Sequence, residues 1–455
     1  MNRITRRDFL KKLAIGAAGV SAVPRLLASD GTKPDRLLPA SDVIWCSDVA
    51  ATTGTTINQS IVQIMMDASI RRLTGISNLG DAWRSLFPGI TTSSVICIKV
   101  NCINSALSSH RLLVETVING LAQMNIGGQT FIRNNAIIWD RTNGELTGAG
   151  YTIYTGSIAT QHRVFGTNQS GVGYDSTRPL TIQRDSGTIT VQPSRIISSL
   201  SNYMINVACL KDHGGPAMTL DLKNHYGSCS PVPCGAGDGN NSPEIPSLNQ
   251  QIRDVLTKQE KIFIVDGLFG IYNGGPGGPP QSWLTFAPKN TPDSLLMSRD
   301  PVAIDYQGEQ IINAERIRRS MAAKYAAHIR TAAVAPYNLG TMDINLIRIQ
   351  NPSGVEEERA ERVDGIVLYQ NQPNPFSGTT IVRYAVKERT KVTIKITDKA
   401  GRVVRTLADK MHNPGIFEVM WNSRDRGGRK VAAGVYVYTL KTGRRSVSKT
   451  MVVSN

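Results

Sequence analysis

The sequence predicts an α/β central domain with a largely parallel sheet and a β-rich insertion, followed by an all-β, Ig-like sandwich. Two observations carry the first part. Apolar β-rich runs alternate with helical patterns between residues 38 and 345, the signature of an α/β domain. Several of those runs are apolar throughout, as strands covered on both faces are. The second part rests on the switch, after residue 365, to short alternating runs separated by Gly- and Asp-containing turns. At 455 residues the chain is too long for one ordinary core. Its segments read as an export signal (1–29), the α/β domain (38–345), a charged linker (346–365) and the sandwich (366–455).

The net charge of +16 invites a nucleic-acid reading, but its distribution opposes one. Residues 1–29 carry +5 and residues 366–455 carry +12, which leaves −1 for 30–365. The central region therefore has no basic stripe of the kind that phosphate-backbone binding requires. Six cysteines (Cys46, Cys97, Cys102, Cys209, Cys229, Cys234) are too scattered for a disulfide scaffold. None forms a C-x-x-C pair, and the ferredoxin-type run that holds iron–sulfur clusters is absent.

At the N-terminus, Arg6-Arg7-Asp8-Phe9-Leu10-Lys11 precedes a short, weakly apolar stretch, Leu13 to Val23. This is the twin-arginine export pattern, a receptor-read address rather than a folded element. It implies the twin-arginine translocase as a partner and the periplasm as first destination. Such substrates cross the membrane folded, often with a cofactor.

Along the central domain, SVICIKV (Ser94 to Val100) reads as a buried strand. A helix follows with apolar positions Leu112, Leu113, Val117, Ile118 and Leu121. Gln129 to Asn134 is the next strand-like run, after Gly127-Gly128. Residues 140–195, rich in Gly, Thr and Ser, form the β-rich insertion. Tyr203 to Leu210 and Lys261 to Gly270 are further buried strands. In Leu295 to Ile317, Asp300 fits a helix N-cap and Pro301 the first helical position. NGGPGGPP (Asn273 to Pro280) reads as a flexible loop over a site; it lacks the Lys-Ser/Thr of a phosphate loop.

Open α/β sheets bind ligands beyond the carboxyl ends of their strands. Three strand ends here deliver polar groups: Lys99 with Asn101, Lys211 with Asp212 and His213, and Asp266. The densest stretch is Leu210 to Gly227, LKDHGGPAMTLDLKNHYG. It reads as a strand exit, a GGP turn and a short helix over 217–226, with Gly227 as a left-handed stop. On that helix Asp221 and His225 share one face, and Thr219 and Lys223 the next. An Asp–His pair can orient an imidazole as base or metal ligand. A partly buried Lys can hold an anion or act as nucleophile. The candidate site is therefore Lys211, His213, Lys223, Asn224 and His225, supported by Lys99, Asp221, Asp266 and Asp305. Each has a structural alternative, such as a turn for Asp266 or a helix-dipole partner for Asp305. Cys229 and Cys234, with His213 and His225 nearby, are candidates for a divalent-metal site, with a disulfide or free thiols the competing reading.

The blocks ICIKVNC, INVACLKDHGGPAMTLDLKNHYG, IFIVDGLFG and SRDPVAIDYQG resemble, in order, those of the family called domain of unknown function 362. The resemblance spans about residues 43 to 313 and implies no agreed activity. Some members add ferredoxin-type cysteines, which this chain lacks.

Asn351 to Gly365 is charged and apolar-poor, as linkers are. TTIVRYAV, KVTIKITD, GRVVRTL, FEVMWNS and GVYVYTLKTG then alternate, within about seven short strands. QNQPNPF, WNSRDRGGR, AAGVYVY and SKTMVV resemble the flagellar hook-assembly Ig-like domain and the type A sorting domain of the type IX secretion system. That resemblance implies an outer-membrane secretion machinery as partner and the cell surface or medium as destination. Two readings stand on the sequence: an exported metal- or anion-dependent enzyme taking a small molecule, or a surface binding or structural protein whose polar cluster only fastens a loop.

Overall fold

The computed structural model describes residues 39–455 except 157–159, 234–241, 258–259, 354–360, 364–365, 370, 372–373, 375, 387, 444 and 455. The export signal and Cys234 lie outside the described residues. No helix among the described residues is long and apolar enough to cross a membrane.

The central sheet takes its strands from β1 (Ser41–Ser47), β2 (Ile96–Lys99), β3 (Ala136–Trp139), β4 (Arg163–Val164), β5 (Tyr203–Asp212), β6 (Glu260–Ile271), β7 (Ser294–Ser298) and β8 (Ile344–Gln350). Their spatial order is β8-β1-β7-β6-β5-β2-β3-β4, and a ninth, two-residue strand, Met218–Thr219, pairs with the end of β5. All neighbours along that order are parallel except β7, which runs antiparallel to both β1 and β6. The principal helices are α1 (Gln59–Thr74), α2 (Arg111–Leu121), α3 (Asp221–Asn224), α4 (Glu244–Asp254), α5 (Pro301–Arg318) and α6 (Ala327–Ala332).

Two apolar cores, one on each face, follow from the pleat. Ile98, Ile205 and Ile264 enter one core with α1 and α2, while Cys97, Met204 and Phe263 enter the other with α4 and α5. Strands buried on both sides cannot alternate in polarity, which is why β2 and β5 read as continuous apolar runs. At α5, the Asp300 carboxylate accepts from the Val302 and Ala303 N–H groups and Pro301 opens the helix.

Several expectations need correction. The strand expected at Gln129 to Asn134 is displaced: of that run only Gln129–Thr130 is paired as a strand, with Asn125–Ile126. Gly127 and Gly128 adopt φ of 62° and 89°, which closes a small hairpin there. The sheet strand is the next run, Ala136–Trp139, buried at every residue. Within the insertion, Arg163–Val164 joins the edge of the central sheet as β4, and Leu180–Arg184 forms a hairpin with Gly187–Pro193 that Cys229–Ser230 joins. The helix expected over 217–226 is cut short. Met218–Thr219 pairs with Lys211–Asp212, α3 spans four residues, and His225–Ser228 form a 3-10 turn. Gly227 is not left-handed. A Cβ there would approach the Asp140 Oδ1 to 3.0 Å, so close packing is its role. β8 carries the central sheet to Gln350, into the segment assigned to the linker.

The C-terminal region has two four-stranded antiparallel sheets. One is Glu361–Val363, Ile366–Leu368, Thr380–Val386 and Gly415–Trp421; the other is Val403–His412, Thr390–Thr397, Gly434–Thr442 and Arg445–Val453. This agrees with the Ig-like expectation. Of its aromatics, Tyr384 and Trp421 are buried in the core and Tyr436 is partly buried against it.

Candidate functional site

A cavity of about 290 Å³ opens beyond the carboxyl ends of β2, β3 and β5. Its wall includes Lys99, Asn101, Asp140, His213, Lys223 and Asn224. The cavity lies at strand ends, and it brings Lys99, His213, Lys223 and Asn224 together.

The floor is a closed hydrogen-bond network. Lys99 Nζ donates to Asp140 Oδ1 at 2.7 Å, to the Val100 carbonyl at 2.7 Å and to Asn224 Oδ1 at 3.3 Å. An ammonium has three protons, so Lys99 supplies charge to the cavity but no spare donor. Asp140 accepts further bonds from the Arg141 and Cys102 N–H groups. Lys211 is fully buried and donates to Asn101 Oδ1 (2.7 Å) and the Leu107 carbonyl (3.3 Å). Because a lysine only donates, it turns the Asn101 oxygen toward itself and sends the Asn101 amide nitrogen to Asn224 Oδ1, 3.0 Å away. The Asn224 nitrogen in turn donates to Asn206, and Asn206 to the Asp221 carbonyl. Lys211 therefore positions the floor from behind and does not line the cavity.

The rim differs. Lys223 is half-buried, with Nζ 4.7 Å from the centre of the Tyr226 ring. Arg141 commits Nε and Nη2 to Glu145. Burial, then the charges of Lys223, Lys211 and Lys324, push His213 down to about 4, so its imidazole is neutral at physiological pH. Its Nδ1 accepts from the Gly215 N–H at 3.1 Å. The proton of the neutral ring therefore sits on Nε2, which donates. Thr219 stands in the wall with a buried hydroxyl that has no partner among the described residues.

Other expected site residues act elsewhere. His225 is buried, with Nε2 2.7 Å from Glu260 and Nδ1 3.0 Å from Ser228 Oγ. Glu260, not Asp221, orients it. Asp305 accepts from the Asp221 and Leu222 N–H groups at 2.8 and 3.1 Å, capping α3 across space. Burial pushes Asp305 up to about 8, although those two N–H groups act in the opposite direction. Asp221 is raised well above the ordinary carboxylate range by burial and by Asp305. Asp266 pairs with His110 at 2.8 Å, outside the cavity wall. Burial acts to lower the His110 pKa, but the charge and hydrogen bond of Asp266 outweigh it and leave it raised. Cys229 is a buried free thiol pushed up to about 12 by burial. With both His225 nitrogens engaged, no three His, Cys, Asp or Glu side chains among the described residues converge as a metal site.

The Asn273 to Pro280 loop is fastened rather than loose. The Gly275 N–H donates to Asp212 Oδ1 at 2.7 Å, and Asn104 Nδ2 reaches the Pro276 and Gly278 carbonyls at 3.0 and 2.9 Å. A Cβ on Gly275 would lie 2.0 Å from the Asp212 carbonyl oxygen. Gly275→Ala is expected to cost about 1–3 kcal/mol, as overpacking does, measured by urea denaturation; an unchanged midpoint would contradict this packing.

Sequence reasoning missed Asp140, Asn206, Tyr226 and His328. Asp140 was legible in principle as the strand-end residue of β3, and was lost with that strand's misplacement. His328, on α6, is fully buried with neither ring nitrogen partnered among the described residues. Burial and the charges of Lys223, Arg330 and His213 push it down to about 3.

Residues 96–308 match the family model described as domain of unknown function (DUF362), and residues 374–446 match that of the FlgD Ig-like domain. No curated protein matches the chain. Among solved structures, latent dimeric PorU from Porphyromonas gingivalis is similar at 20% identity, over 20% of this chain and 10% of that one, with a TM-score of 0.18. PorZ of the same organism, described as an essential surface component of the type-IX secretion system, is similar at 19% identity, over 21% and 16%, with a TM-score of 0.16. FlgD from P. aeruginosa is similar at 16% identity, over 20% and 75%, with a TM-score of 0.15. The chain thus spans only a small part of the length of PorU and PorZ.

Proposed function

We propose that this chain, which carries a DUF362 domain and a FlgD Ig-like domain, is an exported protein whose central domain binds a small anion in the cavity at the β2, β3 and β5 ends. One observation carries the reading: Lys99, Lys211, Lys223 and Arg141 lie in or directly behind the wall, against the two carboxylates Asp140 and Glu145. A concave site with excess positive charge concentrates anions. Lys223, the His213 Nε2–H and the remaining Arg141 nitrogen are the groups to grip a carboxylate or phosphate oxygen. Lys99 adds charge from the floor. Such donors can hold an anionic substrate and stabilise charge developing on it, which is the enzymatic reading of the same site.

A thermal-shift screen of phosphate, sugar phosphates, nucleotides, organic acids and divalent metals tests this, because a ligand of the folded state raises the apparent melting temperature. At least one anion is expected to raise it, and Lys223→Ala to abolish that rise while leaving the ligand-free melting temperature within a few degrees. If no anion acts on the wild-type protein, the alternative gains: a surface binding or structural protein with a purely fastening polar cluster.

Export is the second half of the proposal. Arg6-Arg7-Asp8-Phe9-Leu10-Lys11 supports the twin-arginine translocase as first partner. The sorting-domain motifs within 366–455 support an outer-membrane secretion machinery as second, with the cell surface or medium as destination. Arg6→Lys with Arg7→Lys is expected to hold the protein in the cytoplasm, and deletion of 366–455 to hold it in the periplasm. Fractionation and blotting read both outcomes; unchanged distribution in either variant removes that half.

A further inference from the structure

A second cavity, of about 280 Å³, opens where β1 and β8 meet α5 and the 3-10 turn Leu284–Phe286. β8 is the last strand of the central sheet, so no further strand covers this side among the described residues. Trp45 pairs with Arg348 and Ser47 with Gln350 in the parallel register. With a period of two, these four side chains stand on one face, and all four line the cavity together with Phe286 and Ile311. The aromatic wall is fixed in place. Trp45 Nε1 donates to Ser294 Oγ at 3.0 Å, and the Trp45 and Phe286 rings meet edge to face with centres 6.4 Å apart. Glu315 holds the turn by accepting from the Leu284 and Thr285 N–H groups at 2.8 and 2.7 Å. Arg348 is exposed, and its guanidinium lies 4.1 Å from the centre of the Trp45 ring.

Stacking uses the flat face of a guanidinium and leaves its in-plane N–H groups to bond elsewhere. Those of Arg348 have no hydrogen bond or ion pair among the described residues, and no Asp or Glu lines this cavity. The side chains of Ser47 and Gln350 are likewise unengaged among the described residues. An arginine held flat in this way presents the parallel pair of donors that matches a carboxylate. Beside it, Phe286 and Ile311 offer apolar surface, which suits a ring packed edge-on or offset better than a hydrated ion. An apolar cavity of about 150 Å³ accepts benzene. At about 280 Å³ this one has room for a ring and a short carboxylate arm. We infer that the second cavity binds a small arylcarboxylate, with the carboxylate on Arg348 and Gln350 and the ring against Phe286 and Ile311. The inference does not depend on an anion in the first cavity.

Calorimetric titration of the full chain with phenylacetate, against phenylacetamide and acetate at matched ionic strength, tests it. Phenylacetate is expected to bind saturably. Phenylacetamide, which lacks the charge, and acetate, which lacks the ring, are each expected to bind at least tenfold more weakly. Arg348→Gln is expected to weaken phenylacetate at least tenfold, and Arg348→Lys to recover only part of that loss, because lysine keeps the charge without the planar fork. Neither variant is expected to move the melting temperature, since Arg348 is exposed on an edge strand. Lys223→Ala, in the first cavity, is expected to leave phenylacetate affinity unchanged. No saturable binding of phenylacetate, or wild-type affinity in Arg348→Gln, overturns the site. Equal affinity for acetate overturns the part given to the ring, equal affinity for phenylacetamide the part given to the carboxylate, and full recovery in Arg348→Lys the paired donors. Binding lost in Lys223→Ala but kept in Arg348→Gln assigns the ligand to the first cavity, which overturns this inference and leaves the proposed function standing.

Discussion

Asp140→Ala is expected to destabilise the central domain by about 3–5 kcal/mol, the cost of leaving one partner of a buried ion pair uncompensated. Lys99 is 1% exposed and its Nζ lies 2.7 Å from Asp140 Oδ1. The remaining two Lys99 acceptors, the Val100 carbonyl and Asn224 Oδ1, are neutral. Removing Asp140 also strips the Cys102 N–H of its acceptor, which adds the cost of an unsatisfied buried donor. Chemical denaturation reads the effect directly. Lys99→Met combined with Asp140→Leu is expected to recover part of the loss, because apolar replacement of both partners removes the desolvation cost as well as the attraction. A loss below about 1 kcal/mol for Asp140→Ala, in the range of exposed pairs, would show that the floor of the cavity is open to water.

A second large effect is expected from pH. Asp221 and Asp305 lie together in the core, with Asp305 raised to about 8 and Asp221 raised in the same direction. In the unfolded chain both titrate near 3.8. Between that value and about 8 the folded state binds more protons than the unfolded one, so stability falls as pH rises through this window. A tenfold difference in proton affinity between the two states is worth about 1.4 kcal/mol, so the pair is expected to make the protein several kcal/mol less stable at pH 8 than it would be without it. Asp221→Asn removes one ionisable group and leaves the two N–H bonds to Asp305 in place. It is expected to raise stability at pH 8 by about 1–3 kcal/mol and to change it much less at pH 4. Urea denaturation at both pH values measures it; equal differences at the two would exclude a raised titration of the buried pair.

How much of the site was readable depends on how far its contacts lie along the chain. Lys99, His213, Lys223 and Asn224 were accessible because each sits at a strand end or close after one, and ligand placement in α/β sheets follows strand ends. Asp140 obeys the same rule and was missed only because the apolar run before it, Ala136–Trp139, stood next to a Gly-Gly hairpin that resembled the strand better. His225 and Asp221 looked like a functional pair because a four-residue spacing suggests one helix face. The helix ends at Asn224, and Glu260, 35 residues away, takes the imidazole instead. Asp305 caps α3 from 84 residues away, a relation that no local pattern contains.

By itself, then, the sequence determined the α/β class with the strands β2, β5 and β6, the Asp300–Pro301 start of α5, the Ig-like module and the place of the basic charge in the terminal segments. These depend on periodicity, composition and caps, which act over one to four residues. Only the tertiary structure decided which polar groups become a saturated floor and which remain a cationic rim. Lys99 and Lys211 look alike in sequence to Lys223. What separates them is where they sit: Asp140 and Asn224 hold Lys99 in the floor, Asn101 and Leu107 hold Lys211 behind it, and Lys223 stands half-buried at the rim against Tyr226, an arrangement settled where the strands meet.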